Sequence, residues 1–229
     1  MSRCALVLAL VGSADTCQRN VTVGRVIIAG WTGRDPSAVE KHIAELEKLG
    51  VPRPRSVPTF YRVAANRITT ANCIEVINER SSGEVEFVLL QQGGDLWVGV
   101  GSDHTDRWVE TFDVGSSKQI CDKPVAPRFW RYADVAPHWH ELRLRSYIGS
   151  ERVEYQVGSV ASILDPTQLI TAFGGRVDLE EGTFMFCGTL PVIGEVRPDS
   201  QFALELEDPV MRRTIQHAYR VESLGAQQP

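Results

Sequence analysis

Gly83-Glu84-Val85-Glu86-Phe87-Val88-Leu89-Leu90, then Gly93-Gly94, then Leu96-Trp97-Val98-Gly99-Val100-Gly101-Ser102-Asp103 is the stretch that decides how this chain folds. Two apolar runs, rich in β-branched and aromatic residues, flank a glycine pair, which reads as a β-hairpin. A turn centred on Gly93-Gly94 sets Glu84 opposite Asp103. Side chains alternate faces along a strand, so Glu86 shares its face with Glu84. Three carboxylates then converge on one patch of sheet, and like charges placed opposite one another are destabilising. A hard divalent cation (Mg²⁺, Mn²⁺ or Ca²⁺) suits such an oxygen cluster. The competing reading is a solvated sheet face that carries acidic residues.

The rest of the composition describes an ordinary globular chain. Its 229 residues have room for one substantial core, with 43% hydrophobic and 23% charged residues. A net charge of −5 leaves no basic stripe for a polyanion, so nucleic acid is not an expected partner. Arg128, Arg131, Arg143 and Arg145 form the nearest basic cluster and read as ion-paired sheet residues. The five cysteines are widely spaced without a Cys-x-x-Cys pair, which suggests neither a zinc site nor a disulfide framework. Ala5 to Val11 looks superficially like a signal peptide, but a buried first strand accounts for it equally well. No membrane span is expected, and a cytoplasmic protein is the resulting expectation.

Along the chain, Val21 to Ala29 reads as a second apolar strand. Asp35 as N-cap, Pro36 at the first helical position and Gly50 beyond the end bracket a helix. Its inward stripe is Val39, His42, Ile43, Leu46 and Leu49. A proline-rich connector runs from Val51 to Pro58. Short strands then follow at Arg67 to Val76, the hairpin, His140 to Ile148, Glu151 to Gln156, Thr183 to Cys187 and Phe202 to Glu207. A short helix fits Pro166 to Phe173. The expected class is α+β, mostly β, with a rolled or sandwiched sheet and few short helices.

Several smaller constellations could carry chemistry. His42 and Glu45 lie three apart on one helix face, so the carboxylate can orient the imidazole as a general base. A core-edge histidine beside a solvated glutamate fits the same spacing. Thr189 ends an apolar strand before a proline turn, where a hydroxyl could meet a ligand carboxylate or simply make a turn. His104 and Asp106 could support a metal site at Asp103 or be turn residues. His138 and His140 would share a strand face, too few ligands for zinc.

Taken in order, these motifs resemble the fumarylacetoacetate hydrolase superfamily. Glu84-Val85-Glu86 is similar to its Glu-x-Glu metal motif, Asp103 to its third ligand, and His42-Ile43-Ala44-Glu45 to its His-x-x-Glu helix. Ser117-Lys118-Gln119-Ile120-Cys121-Asp122 resembles the segment that carries its active-site lysine. Val153 to Ser159, Leu179 to Phe184 and Cys187 to Pro191 resemble later family segments. The hairpin between Glu86 and Asp103 is shorter than the family's usual connection, which implies a shortened pocket wall.

The resemblance implies a fumarylacetoacetate hydrolase-like rolled mixed β-sheet core over 61–222, after N-terminal strands and the dyad helix in 1–60 and before a tail, 223–229. It further implies a Mg²⁺ or Mn²⁺ enzyme, with Ca²⁺ as a third option, whose ligands are Glu84, Glu86 and Asp103. The expected substrate is a small acylpyruvate-like carboxylic acid, cleaved at a C–C bond through an enolate. His42 and Glu45 would activate water, Lys118 would stabilise an oxyanion, and Arg62 or Thr189 would hold the substrate carboxylate. Two alternatives stand beside this: a decarboxylase or tautomerase of oxaloacetate-like acids, and a non-catalytic small-anion-binding protein. A homodimer is the expected assembly.

Overall fold

The computed structural model of the protein describes residues 4–13, 15–48 and 53–225, with His42, Glu45, Leu46 and Lys48 described as backbone alone. The first apolar run is β1 (Ala5–Val11), whose Leu6, Leu8 and Leu10 turn inward at a strand's period of two. The strand expected at Val21 to Ala29 is instead divided. β2 (Thr16–Thr22) returns antiparallel along β1, and β3 (Arg25–Gly30) starts a fresh strand. Between them the Gly24 N–H donates to Gly182 O at 2.9 Å, which pins the break.

Helix α1 (Pro36–Lys48) starts where expected, because the Asp35 carboxylate accepts the Ser37 N–H at 2.9 Å. Among its described side chains Ile43 is buried and Val39 half-buried. Leu49, Gly50, Val51 and Pro52 of the expected stripe, helix end and connector lie outside the described residues. Next come β4 (Thr59–Val63), β5 (Ile68–Thr69), β6 (Cys73–Val76) and β7 (Ser81–Ser82), so the strand expected at Arg67 to Val76 is two short pieces.

The hairpin forms as β8 (Val85–Gln92) and β9 (Asp95–Ser102), paired from Val85↔Ser102 to Gln92↔Asp95. Gly93 and Gly94 take φ of +66° and +82°. Positive φ at both central positions is the two-residue turn whose twist matches the strands, and glycine adopts it without strain.

Short elements fill the middle: β10 (Thr105–Asp106), α2 (Arg107–Glu110), α3 (Val114–Gln119), β11 (Lys123–Pro124), β12 (Arg128–Arg131) and α4 (Tyr132–Val135). The chain then forms β13 (Arg143–Ile148), β14 (Val153–Ser159), α5 (Pro166–Gly174), β15 (Thr183–Thr189), β16 (Gln201–Asp208) and β17 (Arg213–Ser223). Asp165 and Gln168 build a capping box at the start of α5.

An eight-stranded mixed sheet runs β2-β1-β12-β9-β8-β15-β3-β4, and a five-stranded sheet runs β14-β13-β16-β17-β6. Phe87, Leu89, Val98 and Val100 of the hairpin meet Leu144, Leu204, Leu206 and Tyr219 of the smaller sheet in one core. A second core holds Val21 from one edge of the large sheet, Val63 from the other, and Val88, Leu90, Phe129 and Phe184 between them. Residues from both edges share a cluster because the sheet is rolled, the mostly β, rolled mixed-sheet architecture expected. The hairpin is buried on both faces, which explains its near-continuous apolar sequence.

Some details differ from expectation. His138 and His140 lie in a 3₁₀ turn (Ala136–Glu141), not on a strand, and His138 Nε2 lies 3.0 Å from Asp208. β17 was not anticipated, since only Ile215 and Tyr219 of its long polar stretch are buried. Ser223 ends β17 and so does not belong to a tail; residues 226–229 lie outside the described ones. A division at 60/61 would cut β4, and the N-terminal strands share the sheet that holds the hairpin. Among the described residues no helix is long and apolar enough to cross a membrane.

Candidate metal centre and active site

Past the last ladder pair, the Asp103 N–H donates to Glu84 O at 3.0 Å, which sets the two residues opposite each other. Ligand atoms of Glu84, Glu86 and Asp103 all lie within 4.8 Å of one another. Glu86 is 2% exposed and Asp103 fully buried. β8, β9 and the bend after β9 therefore bring the three expected carboxylates together, on the side of β8 that also bears Val88 and Leu90.

Each carboxylate has a distinct partner. The Arg107 guanidinium lies 2.9 Å from Glu84 Oε1 and also pairs with Glu110 at 2.8 Å. The Gly188 N–H donates to Glu86 Oε2 at 2.7 Å. Lys118 donates to Asp103 Oδ2, and the Lys123 ammonium lies 3.1 Å from Asp103 Oδ1. Lys118 Nζ is also 3.9 Å from Glu84 Oε2 and 6.0 Å from the centre of the Tyr61 ring.

These contacts decide the protonation states. Burial acts to raise the Asp103 pKa, but Lys118 and Lys123 outweigh it and hold it at about 2. Burial lowers the Lys118 pKa, and Asp103 and Glu84 reverse that, so its ammonium is secure. Glu86 is pushed well above the usual carboxylate range, first by burial and then by Asp103 and Glu84. Among the described residues Glu86 has no ion-pair partner in contact, only the Gly188 N–H. A buried carboxylate left without a cation, beside two others, is the oxygen set a hard divalent ion fits.

The backbone around the trio is tightly specified. Gly188 takes φ +102°, and a Cβ there would lie 1.8 Å from Thr32 Oγ1. Only glycine allows β15 to present its N–H to Glu86 while Thr32 packs behind it. Gln156, fully buried on β14, accepts from the Val85 N–H and the Ser146 hydroxyl, and donates to Thr189 Oγ1 and Leu190 O. All four of its hydrogen bonds are made. The smaller sheet thus grips the residue between Glu84 and Glu86.

The two residues expected to hold the substrate lie as follows. The Thr189 hydroxyl donates to Val85 O at 2.9 Å and accepts from Gln156, so its proton is committed to the scaffold. Arg62 is exposed on β4, on the face opposite Tyr61, and it is Tyr61 whose ring faces Lys118. His42 and Glu45 lie on α1, with side chains outside the described set. Arg107 and Lys123 were not anticipated as site residues. For Arg107 the available signal was position, four residues after Asp103 and directly behind the Asp106 N-cap, whereas Lys123, between Asp122 and Pro124, carried none.

His104 and Asp106 turn away from the trio. Asp106 caps α2 by accepting the Trp108 and Val109 N–H groups. The His104 ring lies between Tyr219 Oη at 3.1 Å and Ser81 Oγ at 2.9 Å. Burial, aided by Lys123 and Arg107, lowers its pKa from 6.5 to about 3. The unfolded chain therefore binds more protons between those values, and stability rises with pH across that window and levels off above it. Urea unfolding should show a His104 contribution approaching about 1.4 kcal/mol per pH unit there. His104→Gln should flatten that slope, and an unchanged slope would show that other groups control it.

Residues 29–219 match the family described as Protein of unknown function (DUF2848). No curated protein matches the chain. Among solved structures, yeast ynq8, a fumarylacetoacetate hydrolase family protein, superposes with a TM-score of 0.63 at 16% identity, covering 88% of this chain and 94% of that one. The 5-carboxymethyl-2-hydroxymuconate delta-isomerase of Mycobacterium smegmatis gives 0.62 at 15% identity, covering 93% and 88%. Fumarylpyruvate hydrolase from Pseudomonas aeruginosa, in complex with Mn²⁺ and pyruvate, gives 0.60 at 14% identity, covering 95% and 96%. The chain has the fold of the fumarylacetoacetate hydrolase family, and by its sequence it belongs to the family described as Protein of unknown function (DUF2848).

Proposed function

We propose that the protein is a divalent-metal-dependent enzyme that hydrolyses a C–C bond in a small 2-oxo or 1,3-dicarbonyl carboxylic acid. The observation that carries this reading is the trio Glu84, Glu86 and Asp103, the last two buried, with ligand atoms within 4.8 Å of one another. The trio would hold Mg²⁺ or Mn²⁺. The Mn²⁺ and pyruvate in the hydrolase of the same fold support both the ion and a 2-oxo acid. When bound, the ion would supply Lewis-acid polarisation of the two substrate oxygens.

This chain's residues supply the remaining steps. Arg107 fixes Glu84, and the Gly188 N–H fixes Glu86. Lys118, whose ammonium donates to Asp103 Oδ2 and lies 3.9 Å from Glu84 Oε2, would meet a developing oxyanion. His42, with Glu45 one helical turn further along α1, would take a proton from water as the hydroxyl adds to the carbonyl carbon. The C–C bond then breaks, its electron pair stays with the departing carbon, and His42 returns the proton there.

Turnover of acylpyruvates and oxaloacetate, with and without Mn²⁺, tests the reading. His42→Ala should eliminate acylpyruvate hydrolysis while Mn²⁺-dependent enolisation stays measurable. Equal loss of both, with Mn²⁺ still bound, would make the dyad the proton-transfer base. That outcome favours the second reading, a decarboxylase or tautomerase, which the isomerase of the same fold supports. Mn²⁺ binding without any turnover would point to a small-anion-binding protein.

A further inference from the structure

Each carboxylate of the trio has one oxygen beside a cationic or N–H group that is itself fixed. Arg107 lies 2.9 Å from Glu84 Oε1 and is tied to Glu110 and the Ser82 hydroxyl. Glu86 Oε2 accepts a backbone N–H from Gly188, a position where any Cβ would meet Thr32. Asp103 Oδ1 lies 3.1 Å from Lys123. Lys123 is fully buried and donates also to His104 O, so its ammonium cannot swing out to solvent. The opposite oxygens, Asp103 Oδ2 and Glu84 Oε2, face Lys118, which is buried at 6% exposure against 0% for Lys123 and lacks Lys123's bond to a backbone carbonyl. Lys118 is therefore the less constrained of the two lysines.

We propose that Lys123 is a positioning residue that restricts Asp103 to a single ligand oxygen and thereby makes the centre select Mn²⁺ or Mg²⁺ over Ca²⁺. This rests on the metal centre proposed above. Three carboxylates with one oxygen each to offer, that of Asp103 once Lys118 moves aside, suit a small, six-coordinate ion that keeps water in its remaining positions. Ca²⁺ takes six to eight oxygens and gains from bidentate carboxylates. Asp103 is the carboxylate whose second oxygen faces a fully buried ammonium, where Glu86 meets a backbone N–H and Glu84 a largely buried guanidinium. Hydrogen-bonding partners of ligand residues commonly tune metal affinity in this way.

Electron paramagnetic resonance of Mn²⁺, titrated with Ca²⁺ as competitor, tests the idea on the full chain. Wild-type protein should prefer Mn²⁺ over Ca²⁺ by about tenfold or more, the scale on which such outer contacts act. Lys123→Met keeps the side chain's length and removes its charge, so Ca²⁺ should then compete about tenfold better relative to Mn²⁺. A merely structural role would weaken both ions alike and leave their ratio unchanged. An unchanged ratio in a folded Lys123→Met protein overturns the proposal. Should that variant fail to fold, the wild-type titration still decides: equal affinity for the two ions overturns the proposal. Wild-type protein that binds neither ion overturns the metal centre itself, an outcome distinct from a bound ion without selectivity.

Discussion

Glu86→Gln should abolish divalent-ion binding and, in buffer containing a chelator, raise the melting temperature. The two effects have one cause. Burial, then Asp103 and Glu84, push the Glu86 pKa well above its ordinary value of 4.5. A carboxyl whose folded pKa lies above its unfolded one loses stability as pH rises past the unfolded value, and at neutral pH it carries that cost. Glutamine keeps the oxygen that accepts the Gly188 N–H and discards the charge. For a chain of this size each kcal/mol recovered moves Tm by about 2–4 °C.

With Mn²⁺ at a hundredfold excess over Kd, wild-type protein gains about 2.7 kcal/mol, and the variant should gain nothing. The order of stability therefore inverts between the two buffers. Thermal scans of both proteins with and without Mn²⁺ read this directly. A variant less stable than wild type in chelator, and still stabilised by Mn²⁺, would show that Glu86 is neither strained nor a ligand.

What was legible in the sequence follows from how local each determinant is. The hairpin and its carboxylates were readable because Gly93-Gly94 fixes the register, and the register fixes which side chains share a face. Helix α1 was readable from Asp35 and Pro36, a cap and a start adjacent in sequence. The face that Arg62 occupies on β4 was not legible. β4 follows a connector with no register signal, and a slip of one residue exchanges the two faces of a strand. Thr189 stands at the expected place, but the partner that engages its hydroxyl is Gln156, in the other sheet.

Lys123 had no local signature at all. Lysines are nearly always solvated, and a buried one is dictated by the acid it meets, here Asp103, twenty residues earlier. Arg131 and Arg145 did fulfil the reading of the basic cluster as paired sheet residues. Arg131 lies 3.5 Å from Asp95, and Arg145 pairs with Glu205 and Glu207.

Gly188→Ala should be among the most damaging small substitutions in the chain. Its φ of +102° lies in the region L-residues rarely adopt, and its new Cβ would lie 1.8 Å from Thr32 Oγ1 and 3.0 Å from Thr32 Cβ. Backbone strain of about 1–2 kcal/mol and overpacking of about 1–3 kcal/mol together give a loss of about 2–5 kcal/mol. Thr32→Ala removes the 1.8 Å contact and leaves the 3.0 Å one. The double variant should therefore recover much of the overpacking and none of the backbone strain. A double-mutant cycle by chemical denaturation should give a coupling of about 1–3 kcal/mol between the two positions. Mn²⁺ affinity separates the local role from the global one. If the Gly188 N–H is what aims Glu86, the double variant regains stability without regaining full affinity, because the φ that points the N–H at Oε2 stays unfavourable. Strict additivity of the two substitutions would mean that the backbone moves aside, and that Thr32 does not hold Gly188 in place.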